Sequence, residues 1–196
     1  MSLQRNIKYP SKKLADLASL SMGYSFRGRI ETTPHEDLAV VQMKDLTEDN
    51  RVSLEEAVFV IHHLYSEAHM LRKGDLVFRS RGLSPTAALV EEEIEEALLA
   101  APLIRIRPGD GILPAYLRWA VNMEASQAFL KAHARGTGTK MVNKAALAEL
   151  EIPVPPLARQ EEIVALNELG HREQIVLHQI ANKRKHLLDH QVSCHA

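Results

Sequence analysis

Gly136-Thr137-Gly138-Thr139-Lys140, followed by Leu150-Glu151-Ile152-Pro153-Val154-Pro155-Pro156-Leu157, divides this 196-residue chain into a body and an arm. The glycines interrupt a helical pattern, Asn143 then caps a short helix over 144–150, and the prolines end it, because proline disfavours helical backbone in the residue before it. From Leu157 the pattern turns helical again to about Gln191, a helix of roughly 50 Å at 1.5 Å per residue. Glu161 and Glu162 lie in its first turns and Lys183, Arg184 and Lys185 near its end, the charge order that the helix dipole favours. A seven-residue repeat lines up Ile163, Leu166, Leu177, Ile180 and Leu187, interrupted at Gly170, Glu173 and Arg184, while Leu169 and Val176 widen the stripe. An exposed stripe of this kind must be covered by another helix, either of its own body or of another chain. The length and the Pro155-Pro156 pair favour an arm that projects and docks a partner over one that folds back.

Ahead of the glycine turn the chain reads as strands and then helix. Short apolar or alternating runs at 38–43, 58–61, 75–78, 86–90 and 103–107 are separated by Gly, Pro, Asp, Asn or charge. In the last of them Leu103, Arg105 and Arg107 fall on one face and Ile104 and Ile106 on the other, the pattern of a half-buried strand. Glu91-Glu92-Glu93 with Glu95 and Glu96 reads as a solvated connector or a helical turn. Pro114 suits the first turn of a helix that shows Leu117, Ala120, Val121 and Phe129 on an imperfect apolar face. The fold class is therefore α+β: a mixed, strand-rich domain over 1–152, then a proline hinge and long helix over 153–196.

Composition excludes several classes. With 45% apolar and 25% charged residues the chain is an ordinary globular one, neither disordered nor fibrous. A single cysteine, Cys194, forbids an internal disulfide and points to a reducing compartment. The opening residues lack the apolar core of a signal peptide and no run is long enough to span a membrane, so a cytoplasmic protein is expected. The net charge is only −1, yet the basic residues are segregated. Residues 1–29 carry six Lys or Arg against one Asp, 72–81 four against one, and 131–144 four against none. Each run alone is the solvated face of a soluble protein; together they make a nucleic-acid surface only if the fold gathers them.

No enzymatic chemistry stands out. The glycine turn lacks the G-x-x-x-x-G-K-[ST] spacing of a phosphate loop and follows helix rather than strand. Its backbone either approaches a DNA phosphate, with Thr137, Thr139 and Lys140 as donors, or simply ends a helix. His62, His63 and His69 have neither metal-ligand spacing nor cysteine partners, and no G-x-S-x-G elbow marks a serine nucleophile. Neither a metal nor a cofactor is expected.

The proline junction, with Arg159-Gln160-Glu161-Glu162-Ile163 after it, resembles that of type I restriction-modification specificity (S) subunits, whose wording is close to L-x-I-P-x-P-P-L-x-E-Q-x-x-I. The chain departs from it at Arg159, where an acidic residue is commoner. Lys13-Leu14-Ala15-Asp16-Leu17 running into Gly23-Tyr24-Ser25-Phe26 is similar to the family's opening. Gly74-Asp75-Leu76-Val77-Phe78 through Gly82 resembles its G-D-[IL]-[VL] strand, and Pro114-Ala115-Tyr116-Leu117 its helix toward the glycine turn.

The resemblance implies a non-catalytic subunit: one target-recognition domain reading half of a bipartite site in double-stranded DNA, and one conserved helix that sets spacing and docks methyltransferase and restriction subunits. Methyl transfer then belongs to a partner. The only Pro-Pro, Val154-Pro155-Pro156-Leu157, lacks the polar acceptor and aromatic ring of an amino-methyltransferase motif. Tyr24, Arg27, Arg29, Arg79, Arg81, Thr137, Thr139 and Lys140 are the candidate DNA-binding residues, the arginines being favoured for guanine through their bidentate fork. Such a half-subunit is expected to form a homodimer through Ile163, Leu166, Leu169, Val176, Leu177, Ile180 and Leu187 and to read a palindromic, interrupted sequence. Alternatively it pairs with a second S fragment. The competing function is a protein-interaction module that works through its helix and does not touch DNA.

Overall fold

A computed structural model describes the chain from Tyr9 to Ser193 apart from residues 34–36, 48, 83, 92, 93 and 95, with side chains described as far as Lys185. One sheet is built from β2 (Ala18–Met22), β6 (Leu76–Phe78), β7 (Ala87–Leu89) and β9 (Ile104–Pro108), in the spatial order β2-β9-β6-β7 and wholly antiparallel. A second has the order β4-β3-β8-β5, from β3 (Leu38–Val41), β4 (Val58–Val60), β5 (Met70–Leu71) and β8 (Ala97–Leu99), with β3 and β8 parallel. A two-stranded ribbon joins β1 (Ser11–Lys13) to β10 (Glu151–Pro153). The helices are α1 (Leu14–Leu17), α2 (Pro114–Asn122), α3 (Glu124–His133), α4 (Lys144–Ala148) and α5 (Leu157–Ser193).

Side-chain alternation along the strands stacks these elements in layers. Leu76, Phe78, Ile104 and Ile106 point to one side of the first sheet and pack on Tyr116, Leu117, Ala120 and Leu130 of α2 and α3. On its other side, Val77 and Ala88 meet Ala39, Val41, Ala97 and Leu99 of the second sheet. The outer face of the second sheet, Leu38, Val40, Val60 and Leu98, is closed by Tyr24, Phe26 and Tyr65 from loops. Both faces of both sheets are thus covered.

That layering corrects the half-buried reading of 103–107. The alternation is as expected, but Arg105 is buried too, because its face meets the second sheet. Its guanidinium donates to the Met70 carbonyl at 2.7 Å. Arg107 grips both oxygens of buried Asp75 at 2.7 Å each and also reaches the Met70 carbonyl. These two arginines fasten β9 to β5 and to the turn before β6. Burial, and then the neighbouring Arg107 charge, depress the Arg105 pKa, whereas the Asp75 hydrogen bond raises that of Arg107.

The five expected strands are present, each within a few residues of its expected limits. The residues that follow the glutamate run, Ala97–Leu99, form β8, while Glu92, Glu93 and Glu95 of the run itself lie outside the described residues. Met123 breaks the expected helix after Pro114 into α2 and α3 by adopting extended backbone, and buried Ser126 recovers the Ala120 carbonyl at 2.6 Å. Asn143 caps α4 by accepting from the Ala146 amide at 2.8 Å.

The proline segment is held at both ends. Val154 donates to the Pro10 carbonyl, extending the β1-β10 ribbon, and Tyr116 donates to the Pro153 carbonyl at 2.7 Å. Gln160, in the first turn of α5, is fully buried: it accepts from Leu113 at 2.9 Å and donates to the Gly111 and Pro155 carbonyls. Ile163 and Val164 pack against the same core. Beyond them, from Ala165 to Lys185, every described side chain of α5 is exposed except half-buried His171. Asn167 to Ile175 border a wide cleft whose other walls are the end of α2, Asp49–Arg51 and Glu91. Leu166, Leu169, Val176, Leu177 and Ile180 present apolar surface to solvent. Leu187 lies outside the residues whose side chains are described.

Candidate nucleic-acid interface

The strand register decides what the loops can share. Met22, Ile104, Phe78 and Ala87 form one row across the first sheet, at the end where β2 and β6 exit and β9 and β7 enter. Segments 23–30, 79–86 and 100–103 therefore leave from a common edge. The opposite end, marked by Ala18 opposite Pro108, leads to the β1-β10 ribbon and the root of α5. Candidate DNA-facing loops and arm are rooted at opposite ends of one sheet.

Gly23 shows how tightly the first of these loops is laid down. A side chain there would begin 2.5 Å from the Ala100 carbonyl carbon, so only glycine lets β2 leave past Ala100 and Ala101. Tyr24 then bridges Ala100, and its ring lies edge-on to Phe26, Tyr65 and His69 at 4.9, 5.1 and 5.6 Å. The Tyr24 ring is committed to packing the loop onto the second sheet. Arg27 and Arg29, beyond that clamp, are exposed.

The other candidates separate similarly. Arg79 is half-buried and donates to the Leu46 and Thr47 carbonyls, so it holds a loop of the body rather than facing solvent. Arg81, two residues on, is exposed and pairs with Met141, which also pairs with Arg135. Thr137, Thr139 and Lys140 are exposed on the turn between those partners. Gly136 has a φ of +136°, and a side chain would meet the Thr139 carbonyl oxygen at 2.6 Å, so the turn requires glycine. Its inner side, with Lys131, Pro85 and Val142, borders a cleft of about 450 Å³. The third basic run thus stands beside the second. Arg135 escaped the sequence reading because only its pairing with Met141 sets it apart from other surface arginines.

The histidines have local roles. His62 donates its amide to Asp37 at 2.8 Å and approaches Glu96 at 3.3 Å, and it sits with His63 in a 3₁₀ turn. Among the described residues no group of three or more His, Cys, Asp or Glu side chains is placed to hold a metal ion. No helix among them is long and apolar enough to cross a membrane.

Residues 6–168 match the family described as the type I restriction modification DNA specificity domain. The chain belongs to that family. A specificity domain is the recognition part of such a system, not its catalyst. No curated protein matches the sequence. The fold is similar to that of the HsdS subunit from Thermoanaerobacter tengcongensis, with a TM-score of 0.62 and 18% identity over 91% of this chain and 40% of that one. A chain from a structure describing complex assembly and conformational transition of the type I R-M system gives 0.65 and 18% over 90% and 41%. The S subunit of the type I system from M. genitalium gives 0.57 and 16% over 86% and 40%. This specificity domain with its helix spans about two fifths of the length of those chains.

Proposed function

We propose that this specificity-family chain reads one half of a bipartite sequence in double-stranded DNA through the loops at the β2-β6 exit, in the cytoplasm, while α5 docks methyltransferase and restriction subunits. The observation that carries the reading is the convergence of 23–30, 79–86 and the 136–140 turn on one end of one sheet. Arg27, Arg29, Arg81, Thr137, Thr139 and Lys140 are exposed there. Tyr24 and Arg79 support these loops from within. Basic side chains and backbone amides would fix register on phosphates while a few side chains read base edges.

The division of the chain at 152 and 153 acquires a refinement. The proline run is a fixed corner and the first turns of α5 belong to the body, so the docking segment starts near Leu166. Two copies joined through antiparallel arms would present two identical domains about a two-fold axis and read an interrupted palindrome. Pairing with a second S fragment would instead give two different half-sites.

Salt dependence tests the DNA reading. Binding of the full chain, alone and with a methyltransferase subunit, to duplex DNA should weaken steeply between 50 and 200 mM salt, on the order of tenfold or more for several phosphate contacts. The net charge of −1 favours the competing interaction module. A complex with the methyltransferase subunit that forms equally well at both salt concentrations and never binds duplex DNA would establish that module instead.

A further inference from the structure

Resting on that DNA-reading function, we infer that Arg81, Met141 and Arg135 form a preorganised base-reading row specific for two guanines flanking a thymine methyl. Arg135 and Met141 exchange both backbone hydrogen bonds, each 2.9 Å long. On the other side, Val142 donates to Ser80 at 2.8 Å and Gly82 to Lys140 at 3.2 Å, which places Arg81 directly opposite Met141. Met141 is therefore the middle rung of three chain segments, with a hydrogen-bonded pair on one side and a non-hydrogen-bonded pair on the other. Directly opposed residues send their side chains to the same face. All three are exposed, Met141 at 38%.

The row has the chemistry of a reader. Neither the Arg81 nor the Arg135 guanidinium has a hydrogen-bond or ion-pair partner among the described residues, in contrast to Arg79, Arg105 and Arg107. Two free forks suit the O6 and N7 acceptors of guanine, and a thioether between them suits the thymine methyl group. An exposed apolar side chain adds nothing to phosphate binding, so Met141 favours base contact over backbone contact.

Spacing gives a quantitative expectation. Opposed Cα atoms lie about 5.5 Å apart in a hydrogen-bonded pair and about 4.5 Å apart in the other kind, so Arg81 and Arg135 stand about 10 Å apart. At about 3.4 Å per base step that is close to three steps. The backbone ladder and the obligatory Gly136 turn hold this spacing before any DNA arrives, as a specificity device requires.

The test is selection from a randomised duplex library with the full chain, alone and with the methyltransferase subunit, comparing wild type with Arg81→Gln, Arg135→Gln and Met141→Ala. Lys12→Gln, on the exposed ribbon at the far end, is the control. Wild type should enrich a half-site containing two guanines about three steps apart. Each arginine variant should lose discrimination at a different guanine by roughly tenfold to a hundredfold, and Met141→Ala should lose the intervening thymine preference by less. Circular dichroism of all variants should match wild type, because the three positions are exposed. The inference is overturned if wild type enriches a sequence and the variants enrich the same one, or if both arginine variants weaken all sequences equally, as phosphate contacts would. If wild type enriches no sequence at all, the DNA-reading function fails and this row with it.

Discussion

Leu76 in the first sheet and Leu166 in α5 are the same amino acid with opposite fates: the first is wholly buried, the second 62% exposed. The contrast extends to their neighbours, for Leu71, Leu98 and Leu103 are closed off in the body while Leu169, Leu177 and Ile180 face solvent along the arm. Leaving a leucine or isoleucine exposed forgoes about 1.5–3 kcal/mol of burial each. The body has covered its own apolar surface, whereas the arm leaves Leu166, Leu169, Val176, Leu177 and Ile180 open to solvent. Their difference teaches that burial changes inside α5, after Ile163 and Val164, and the proposed division between a body that supplies stability and an arm that supplies assembly rests on that change.

Gln160 is the place to break that comparison. It is the buried side chain that ties α5 to the α2 approach, and Gln160→Ala would strip partners from the Leu113 amide and the Gly111 and Pro155 carbonyls. A loss of about 2–4 kcal/mol is expected, measured by urea unfolding. The arm should respond in the opposite sense. In the full chain, Leu166→Glu with Leu169→Glu should weaken self-association or subunit docking at least about tenfold while leaving the unfolding free energy of the body within about 0.5 kcal/mol. If both measurements moved together, body and arm would be one cooperative unit and the division would be wrong. Gly136→Ala is expected to cost about 1–2 kcal/mol, because it forces a side chain against the Thr139 carbonyl in left-handed backbone.

What the sequence disclosed follows from which interactions are local. Strand alternation, the Pro114 and Asn143 helix starts and the exposure of Leu166, Leu169, Val176, Leu177 and Ile180 depend on neighbours a few residues away and were legible, whereas Ile163 of the same stripe packs on the body instead. β8 was not legible, since Ala97–Leu99 is short and follows a glutamate run whose helical propensity speaks louder than three apolar residues. β1 and β10 were hidden for a related reason: they pair across more than 130 residues and neither alternates conspicuously. Among the candidate DNA residues, Arg79 and Arg81 are indistinguishable as text. Only the Leu46 and Thr47 carbonyls, more than thirty residues away, separate an arginine used by the fold from one left exposed. Tyr24 is the same lesson in an aromatic residue, because its partners Tyr65 and His69 arrive from another loop.

Tyr116 sharpens the comparison at its smallest scale, since its hydroxyl bonds the Pro153 carbonyl at the corner that leads into the arm. Tyr116→Phe should cost about 1 kcal/mol at neutral pH, the net value of one such hydrogen bond. Alkaline pH supplies a second readout. Burial first, and then the nearby Tyr9, push the Tyr116 phenol up to about 12. In the unfolded chain it ionises near 10. Between those values the unfolded state has released a proton that the folded state still holds, so stability is unaffected below about pH 10 and falls as the pH rises toward 12. Urea unfolding of wild type and Tyr116→Phe between pH 8 and 11.5 should therefore show the two stability curves converging above pH 10. Parallel curves would mean that water reaches the phenol in the folded protein, and that the corner beneath the arm opens more readily than the rest of the body.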